Sequence, residues 1–108
     1  MEIRQYQIYW TKLDPTIGSE IKKVRPCLVI SPNEMNRYLS TVLIAPLTTK
    51  SRQYPTRVKT FILDRSSWII LDQLRSIDKV RLYAFICFLD SEAIREVKQT
   101  LKAMLVDV

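Results

Sequence analysis

The sequence predicts a mainly β fold, a small barrel or sandwich, that ends in one C-terminal helix. Short runs rich in β-branched and aromatic residues recur up to Leu89, and turn-forming residues separate them. The last segment instead carries apolar residues at the helical repeat, without glycine or proline. With 108 residues, 47% of them hydrophobic, we expect residues 1–108 to form a single domain with its own core.

Several segments before Leu89 are predicted to be β-strands or loops. Residues 3–10 alternate between apolar and polar side chains, which is typical of a half-buried strand. The other predicted strands are residues 26–30, 41–47, 56–63 and 68–71. Turn-forming residues place a first loop over residues 12–25, a turn at residues 31–33 and a second loop over residues 51–55.

The segment from Ser91 to Leu105 is predicted to be a helix. Asp90 or Ser91 can cap its N-terminus, and Glu92 places a negative charge in its first turn. Its apolar residues share one face: they are Ala93, Ile94, Val97, Leu101, Met104 and Leu105. The simplest role of this face is packing on the sheet, and the alternative is binding to a partner.

Charge and missing residue types restrict the possible chemistry. The net charge of +6 favours a polyanionic partner, either nucleic acid or an acidic protein. The absence of histidine excludes histidine-based acid–base catalysis and histidine metal ligation. Cys27 and Cys87 lie in separate apolar runs, which indicates core packing rather than a zinc site. Because the carboxylates are scattered and Gly18 is the only glycine, we expect no metal, no cofactor and no phosphate-binding glycine loop.

The sequence also predicts where the protein works. It contains no run of about 20 apolar residues that could span a membrane. Its first ten residues are too polar for a secretory signal peptide. We therefore expect a cytoplasmic protein that is not inserted in a membrane.

Two segments that include most of these predicted loops combine hydroxyl groups with positive charge. They cover residues 13–26 and 46–55, and the second also contains Tyr54. This composition suits an RNA phosphate backbone with a stacked base, although an ordinary surface loop has the same composition. Arg25 precedes Pro26, which favours an extended backbone where the loop meets a buried strand. A guanidinium held there can bind phosphate through two hydrogen bonds, or it can pair structurally with Asp72 or Asp78.

Taken together, these segments resemble the MazF/PemK family of toxin endoribonucleases. The matching blocks follow the order of the family over about residues 3 to 82. They are Asp14-Pro15-Thr16-Ile17-Gly18-Ser19-Glu20, Lys22-Lys23-Val24-Arg25-Pro26, Ile30-Ser31-Pro32, Ala45-Pro46-Leu47-Thr48-Thr49, Tyr54-Pro55-Thr56 and residues 71–79. The resemblance implies an SH3-like β-barrel with a C-terminal α-helix, a homodimer, metal-independent cleavage of single-stranded RNA and an acidic antitoxin partner.

The resemblance also assigns site residues. The catalytic arginine of the family falls on Arg25 and its catalytic hydroxyl on Thr48. The positions that hold RNA fall on Ser19, Glu20 and Gln73, and we predict that Thr49 and Lys50 contact RNA as well. Relatives often carry glycine near the positions of Tyr6, Lys22, Lys23 and Ser67, so this chain should have a stiffer first loop.

The chemistry of RNA suits this pair of side chains. RNA supplies its own nucleophile, the 2′-hydroxyl, so the protein needs to stabilise charge on the phosphate, a task for a buried Arg25 assisted by Thr48. Glu20 and water are both candidates for the general base. The expected products are a 2′,3′-cyclic phosphate and a 5′-hydroxyl. The alternatives are a non-catalytic gyrase-binding toxin resembling CcdB and a regulator that binds RNA or DNA without cutting it.

Two further groups of residues receive structural interpretations. Trp10 and Trp68 are predicted to be core or dimer-contact aromatics, with base stacking as the alternative. Arg75, Asp78 and Arg81 are predicted to form a set of ion pairs that supports the barrel or the dimer.

Overall fold

The computed structural model describes residues 2–14, 17–21 and 23–107, and the bounds of its elements are as follows. The strands of this part are β1 (Gln7–Lys12), β2 (Val24–Val29), β3 (Thr41–Thr48), β4 (Arg57–Ile62), β5 (Arg65–Ile70), β6 (Arg75–Asp78) and β7 (Leu82–Phe88). The helices are α1 (Asn33–Tyr38) and α2 (Ser91–Leu105). Single 3-10 turns cover Leu71–Gln73 and Lys79–Arg81.

All strand pairs are antiparallel, and β3 is the central strand. The strand order is β4-β5-β3-β2-β1-β7, and β6 pairs with the first half of β3. The last two residues of β3 pair with β5 instead, so the sheet curls around β3. The predicted mainly β fold with a C-terminal helix is confirmed.

The two faces of the curled sheet carry separate hydrophobic clusters. Successive strand residues alternate between them, as in Leu28 of the first cluster and Val29 of the second. Helix α2 covers the first cluster with Ala93 and Val97, which confirms that its apolar face packs on the sheet. Cys27 is fully buried in the second cluster, and burial raises the pKa of its thiol to about 12. The structure therefore confirms the core position of Cys27, whereas Cys87 is only half-buried.

The predicted element boundaries are most accurate where local signals are strong. Helix α2 has the predicted bounds, and the Asp90 carboxylate caps it by accepting a hydrogen bond from the Ala93 N–H at 3.2 Å. The prediction for β1 was wrong at its start. Tyr6 adopts a left-handed backbone with φ of 69°, so the extended segment begins only at Gln7. The predicted first loop was also too long, because β2 already begins at Val24.

One helix and two strands were not predicted. Helix α1 follows Pro32 in a segment predicted only as a turn, and its six residues are too few to show a helical repeat. Strand β6 has only four residues. Strand β7 lies at the edge of the sheet and exposes large apolar residues such as Tyr83, so its sequence lacks a polar face.

Arg75, Asp78 and Arg81 make no ion pair within the described residues, so the predicted set of ion pairs inside the barrel is wrong. Asp78 caps the following 3-10 turn by accepting a hydrogen bond from the Val80 N–H at 3.0 Å. The Arg81 guanidinium donates to the backbone carbonyls of Lys12 at 3.3 Å and Asp14 at 2.6 Å. These two side chains are therefore committed to backbone groups. No helix in the part of the chain that the structure describes is long and apolar enough to cross a membrane.

Candidate active site

Strands β2 and β3 separate at the ends that carry Arg25 and Thr48. Their last recorded pair joins Cys27 to Pro46. Beyond this point Arg25 remains paired with Thr11 of β1, whereas Thr48 pairs with Trp68 of β5. A gap opens where the ladder would have continued.

Pro26 gives this separation a local cause. Antiparallel pairs alternate between hydrogen-bonded and non-hydrogen-bonded ones. The Ile30 N–H donates to the Leu43 carbonyl at 2.8 Å, so these two residues form a hydrogen-bonded pair. Hydrogen-bonded pairs recur at every second residue along the register, so Pro26 and Leu47 would form such a pair at the separation point. Pro26 has no N–H to donate there. The β2–β3 ladder therefore lacks one backbone hydrogen bond at the point where it ends.

The Thr48 hydroxyl is oriented by its own loop. Its oxygen accepts a hydrogen bond from the Lys50 N–H at 3.1 Å. This bond uses a lone pair and leaves the hydroxyl hydrogen available to donate to another group. The side chain is half-buried at the end of β3, so a ligand in the gap can reach it.

A cavity of about 380 Å³ occupies this end of the sheet, and Arg25, Thr48 and Thr49 all line it. The expectation of a buried arginine was wrong, because Arg25 is exposed where β2 separates from β3. The alternative pairing of Arg25 with Asp72 was also wrong, because Asp72 pairs with Arg57. The guanidinium of Arg25 therefore faces solvent, where an anion can reach it.

Sequence reasoning missed Arg65, which lines the same cavity. It follows a two-residue hairpin turn, Leu63-Asp64, in which both residues have positive φ, as a type I′ turn requires. Nothing local in the sequence marks Arg65, because it lines this cavity with Arg25 only through the change of partner strand along β3. Two arginine residues thus line the cavity.

The other predicted site residues lie outside this cavity. Ser19 and Glu20 are exposed in the first loop, and the Glu20 carboxylate accepts a hydrogen bond from the Ile17 N–H at 2.7 Å. Gln73 accepts a hydrogen bond from the Ile21 N–H at 2.8 Å through its Oε1 atom. Gln73 therefore ties the first loop to the 3-10 turn that follows β5. Lys50 is exposed beside Thr49.

The same 3-10 turn also holds the second loop. Asp72 accepts hydrogen bonds from Arg57 Nε at 3.1 Å and Arg57 Nη2 at 3.2 Å, and from the Thr56 hydroxyl at 2.9 Å. Arg57 donates in addition to the Ser51 hydroxyl at 2.8 Å. These bonds hold the pKa of Asp72 below its usual value, mainly through Arg57. Consecutive residues, Asp72 and Gln73, thus anchor the two loops that carry predicted site residues.

Comparison with known proteins identifies the family. Residues 4–105 match the PemK-like, MazF-like toxins of type II toxin–antitoxin systems. The chain belongs to this family. It is 36% identical over 111 residues to the endoribonuclease EndoA of Bacillus subtilis, an alignment that covers 97% of this chain and 96% of EndoA.

Solved structures of MazF toxins share the fold of this chain. MazF of Deinococcus radiodurans superimposes with a TM-score of 0.85 at 25% identity, covering 97% of both chains. A MazE–MazF complex of the same organism gives a TM-score of 0.80 at 25% identity over 97% of both chains. A mycobacterial endoribonuclease bound to its cognate antitoxin gives 0.81 at 22% identity, covering 95% of this chain and 94% of that one.

The structure of this MazF-like toxin shows which backbone conformation it adopts at positions where relatives often carry glycine. Tyr6 and Lys23 adopt φ values of 69° and 71°, so both keep a left-handed backbone without glycine. Ser67 lies in the regular strand β5 and needs no such conformation. Lys22, like Pro15 and Thr16 of the family motif, lies outside the described residues.

Proposed function

We propose that this toxin is a sequence-specific endoribonuclease that cleaves single-stranded RNA, with Arg25 and Thr48 as its catalytic residues. The observation that carries the proposal is that both residues line one cavity at the separation of β2 and β3. The relative in Bacillus subtilis is named an endoribonuclease, which supports the same activity.

In the proposed reaction the RNA attacks itself. The 2′-oxygen forms a bond to the adjacent phosphorus atom, and the bond from phosphorus to the 5′-oxygen breaks. The proton of the 2′-hydroxyl passes to a base, and the departing 5′-oxygen takes up a proton. The products are a 2′,3′-cyclic phosphate and a 5′-hydroxyl, and no external nucleophile or metal ion is required.

Arg25 and Thr48 act on the charge that develops on the phosphate. The guanidinium offers two parallel N–H donors to phosphate oxygens. The Thr48 hydroxyl donates a third hydrogen bond, because its oxygen is already oriented by the Lys50 N–H. Donors that are held in place before the reaction stabilise the transition state without reorganisation.

Glu20 and water remain the two candidates for the base. The Glu20 carboxylate is exposed, and one of its oxygens accepts the Ile17 N–H, which leaves the other oxygen able to take a proton. An arginine at neutral pH has no such capacity, because its pKa lies above about 12.

Ser19, Thr49, Lys50 and Gln73 are proposed to bind RNA around the catalytic pair. Thr49 lines the cavity beside Thr48, and Lys50 adds an exposed positive charge. Gln73 uses its Oε1 atom to hold the first loop, so its Nε2 group can donate to the RNA.

The proposed partners follow from charge and family. A net charge of +6 favours RNA and an acidic antitoxin, each of which carries negative charge. The MazF toxin of Deinococcus radiodurans is seen in complex with MazE, which supports an antitoxin partner here. The homodimer and the cytoplasmic location stay predictions, and light scattering of the purified protein tests the first.

One experiment separates this function from its alternatives. Purified protein is incubated with a long single-stranded RNA in EDTA, and the RNA is analysed on a denaturing gel and by native gel shift. Discrete fragments with cyclic phosphate ends are expected. Shifted but intact RNA would indicate a non-cutting regulator, and no interaction would favour a gyrase-binding toxin.

The proposed mechanism has its own test in the same assay. A single 2′-deoxy substitution at the mapped cleavage site removes the nucleophile and should block cutting at that site only. Continued cleavage there would contradict attack by the 2′-hydroxyl.

A further inference from the structure

The strand pairings extend the face that carries Thr48 across two further strands. Thr48 pairs with Trp68 of β5, and Trp68 pairs with Lys59 of β4. Directly paired residues of an antiparallel sheet project from the same face, and residues two positions apart on one strand do so too. A row of side chains on one face therefore leads from Thr48 over Trp68 and Lys59 to Arg57.

Each cation of this row lies over an aromatic ring. Lys59 Nζ is 5.7 Å from the centre of the Trp68 ring. Arg57 Cζ is 4.5 Å from the centre of the Tyr54 ring. Trp68 is half-buried and Tyr54 is 44% exposed, so solvent reaches both side chains. We call Trp68, Lys59, Arg57 and Tyr54 the aromatic–cation row.

The two cations differ in what they are free to do. Arg57 is committed to Asp72 through two hydrogen bonds, and to the Ser51 hydroxyl through a third. Its role in the row is therefore to hold the Tyr54 ring. Lys59 is exposed and makes no ion pair within residues 2–14, 17–21 and 23–107, so its charge can neutralise an anion.

We propose that the aromatic–cation row is a binding track for single-stranded RNA that leads away from the catalytic pair. Bases stack on Trp68 and Tyr54, and Lys59 binds the intervening phosphate. Alternating rings and cations suit this ligand because every base has a face to stack and every nucleotide carries a phosphate. The proposal rests on the RNA-cleaving function proposed above.

Neighbouring charge sets the direction of the track. Glu92 and Glu96 of α2 line the same depression as Lys59. Their carboxylates repel a phosphate backbone, so a bound strand is directed away from α2 and toward Tyr54. The track thus runs from Thr48 to the second loop.

Binding of a fully 2′-O-methylated single-stranded RNA 20-mer of mixed sequence tests the track, because this probe cannot attack itself. Fluorescence anisotropy measures its Kd for the wild type, Tyr54→Leu and Trp68→Leu. Loss of one stacked base weakens binding by at least about fivefold. Tyr54→Phe and Trp68→Phe keep a ring and should bind within about twofold of the wild type.

Tyr38→Leu is the matched control. Tyr38 is 76% exposed in α1, which precedes β3 and so lies at the opposite end of that strand from Thr48. It should leave the Kd unchanged. Thermal unfolding of every variant shows whether the fold is retained, and the phenylalanine variants report on stacking if a leucine variant unfolds.

The phosphate contact has a separate readout. The slope of log Kd against log salt concentration should fall by about 0.7 in Lys59→Gln, the value for one lost contact to a single strand. Lys59→Arg should restore it.

The possible outcomes separate this proposal from the function on which it rests. If the wild type cuts RNA and the leucine variants bind the probe as tightly as Tyr38→Leu does, the track is refuted and the nuclease function stands. If the wild type binds the probe through these residues but never cuts RNA, the track stands and the nuclease function fails. Absence of any RNA binding by the wild type overturns both.

Discussion

Arg25 and Thr48 occupy the positions that would face each other if the β2–β3 ladder continued for two pairs beyond Cys27 and Pro46. Their side chains therefore project from the same face, on the two sides of a gap between strands. This relationship places a guanidinium and a hydroxyl around one cavity, and the following predictions depend on it.

Replacement of Arg25 by lysine tests the need for a guanidinium. Lysine keeps the charge but loses the two parallel donors, so we expect kcat to fall by about 100-fold or more. Cleavage of a fluorogenic RNA at saturating substrate measures this change. Arg37→Lys, on α1, is the control and should cut like the wild type. An Arg25→Lys variant with full activity would contradict the proposed role.

Replacement of Thr48 by valine removes the hydroxyl and preserves the shape of the side chain. We expect a loss of kcat of about 100-fold, whereas Thr48→Ser should keep most of the activity. The melting temperature should change little, because the Lys50 N–H that loses its acceptor is exposed to water. Equal activities of the valine and serine variants would argue against a hydroxyl in the reaction.

Two substitutions of Gln73 separate its two proposed roles. Gln73→Glu keeps an oxygen acceptor for the Ile21 N–H but loses the Nε2 donor. It should therefore retain amide protection at Ile21 and bind RNA more weakly. Gln73→Ala should lose both properties. Hydrogen exchange and RNA titration measure them, and an Ile21 amide that stays protected in Gln73→Ala would show that other contacts hold the first loop.

Lys23→Gly should relieve backbone strain in the first loop. The left-handed conformation of Lys23, with φ of 71°, costs a non-glycine residue about 1 kcal/mol. The matched control is Lys23→Ala, which removes the same charge and keeps the strain. We expect the glycine variant to exceed the alanine variant in free energy of unfolding by about 1 kcal/mol in urea titrations. Equal stabilities would mean that this position carries no strain.

The Asp72–Arg57 pair predicts a dependence of stability on pH. Its hydrogen bonds lower the pKa of Asp72 in the folded protein below the usual value of 3.8. The pair therefore stabilises the fold fully above about pH 4. This contribution is lost as the pH falls from there through the folded-state pKa. The melting temperature of Asp72→Asn should lie below that of the wild type at pH 7 and approach it below pH 4, and a constant difference over this range would refute the linkage.

The sequence by itself determined the elements that depend on local signals. The Asp90 cap and the uninterrupted apolar repeat define α2 to the residue, and β-branched runs identify β3 and β4 within one residue at each end. Family motifs also selected Arg25 and Thr48. These features depend on neighbours along the chain, so a one-dimensional pattern contains them.

Only the tertiary structure decided what surrounds those residues. The change of β3 from β2 to β5 brings Arg65 to the cavity and sets Thr48 beside Trp68. The pairing of Asp72 with Arg57, rather than with Arg25, likewise joins residues that are distant in sequence. Strand pairing depends on register and twist across the whole sheet, and no local pattern of residue types specifies it.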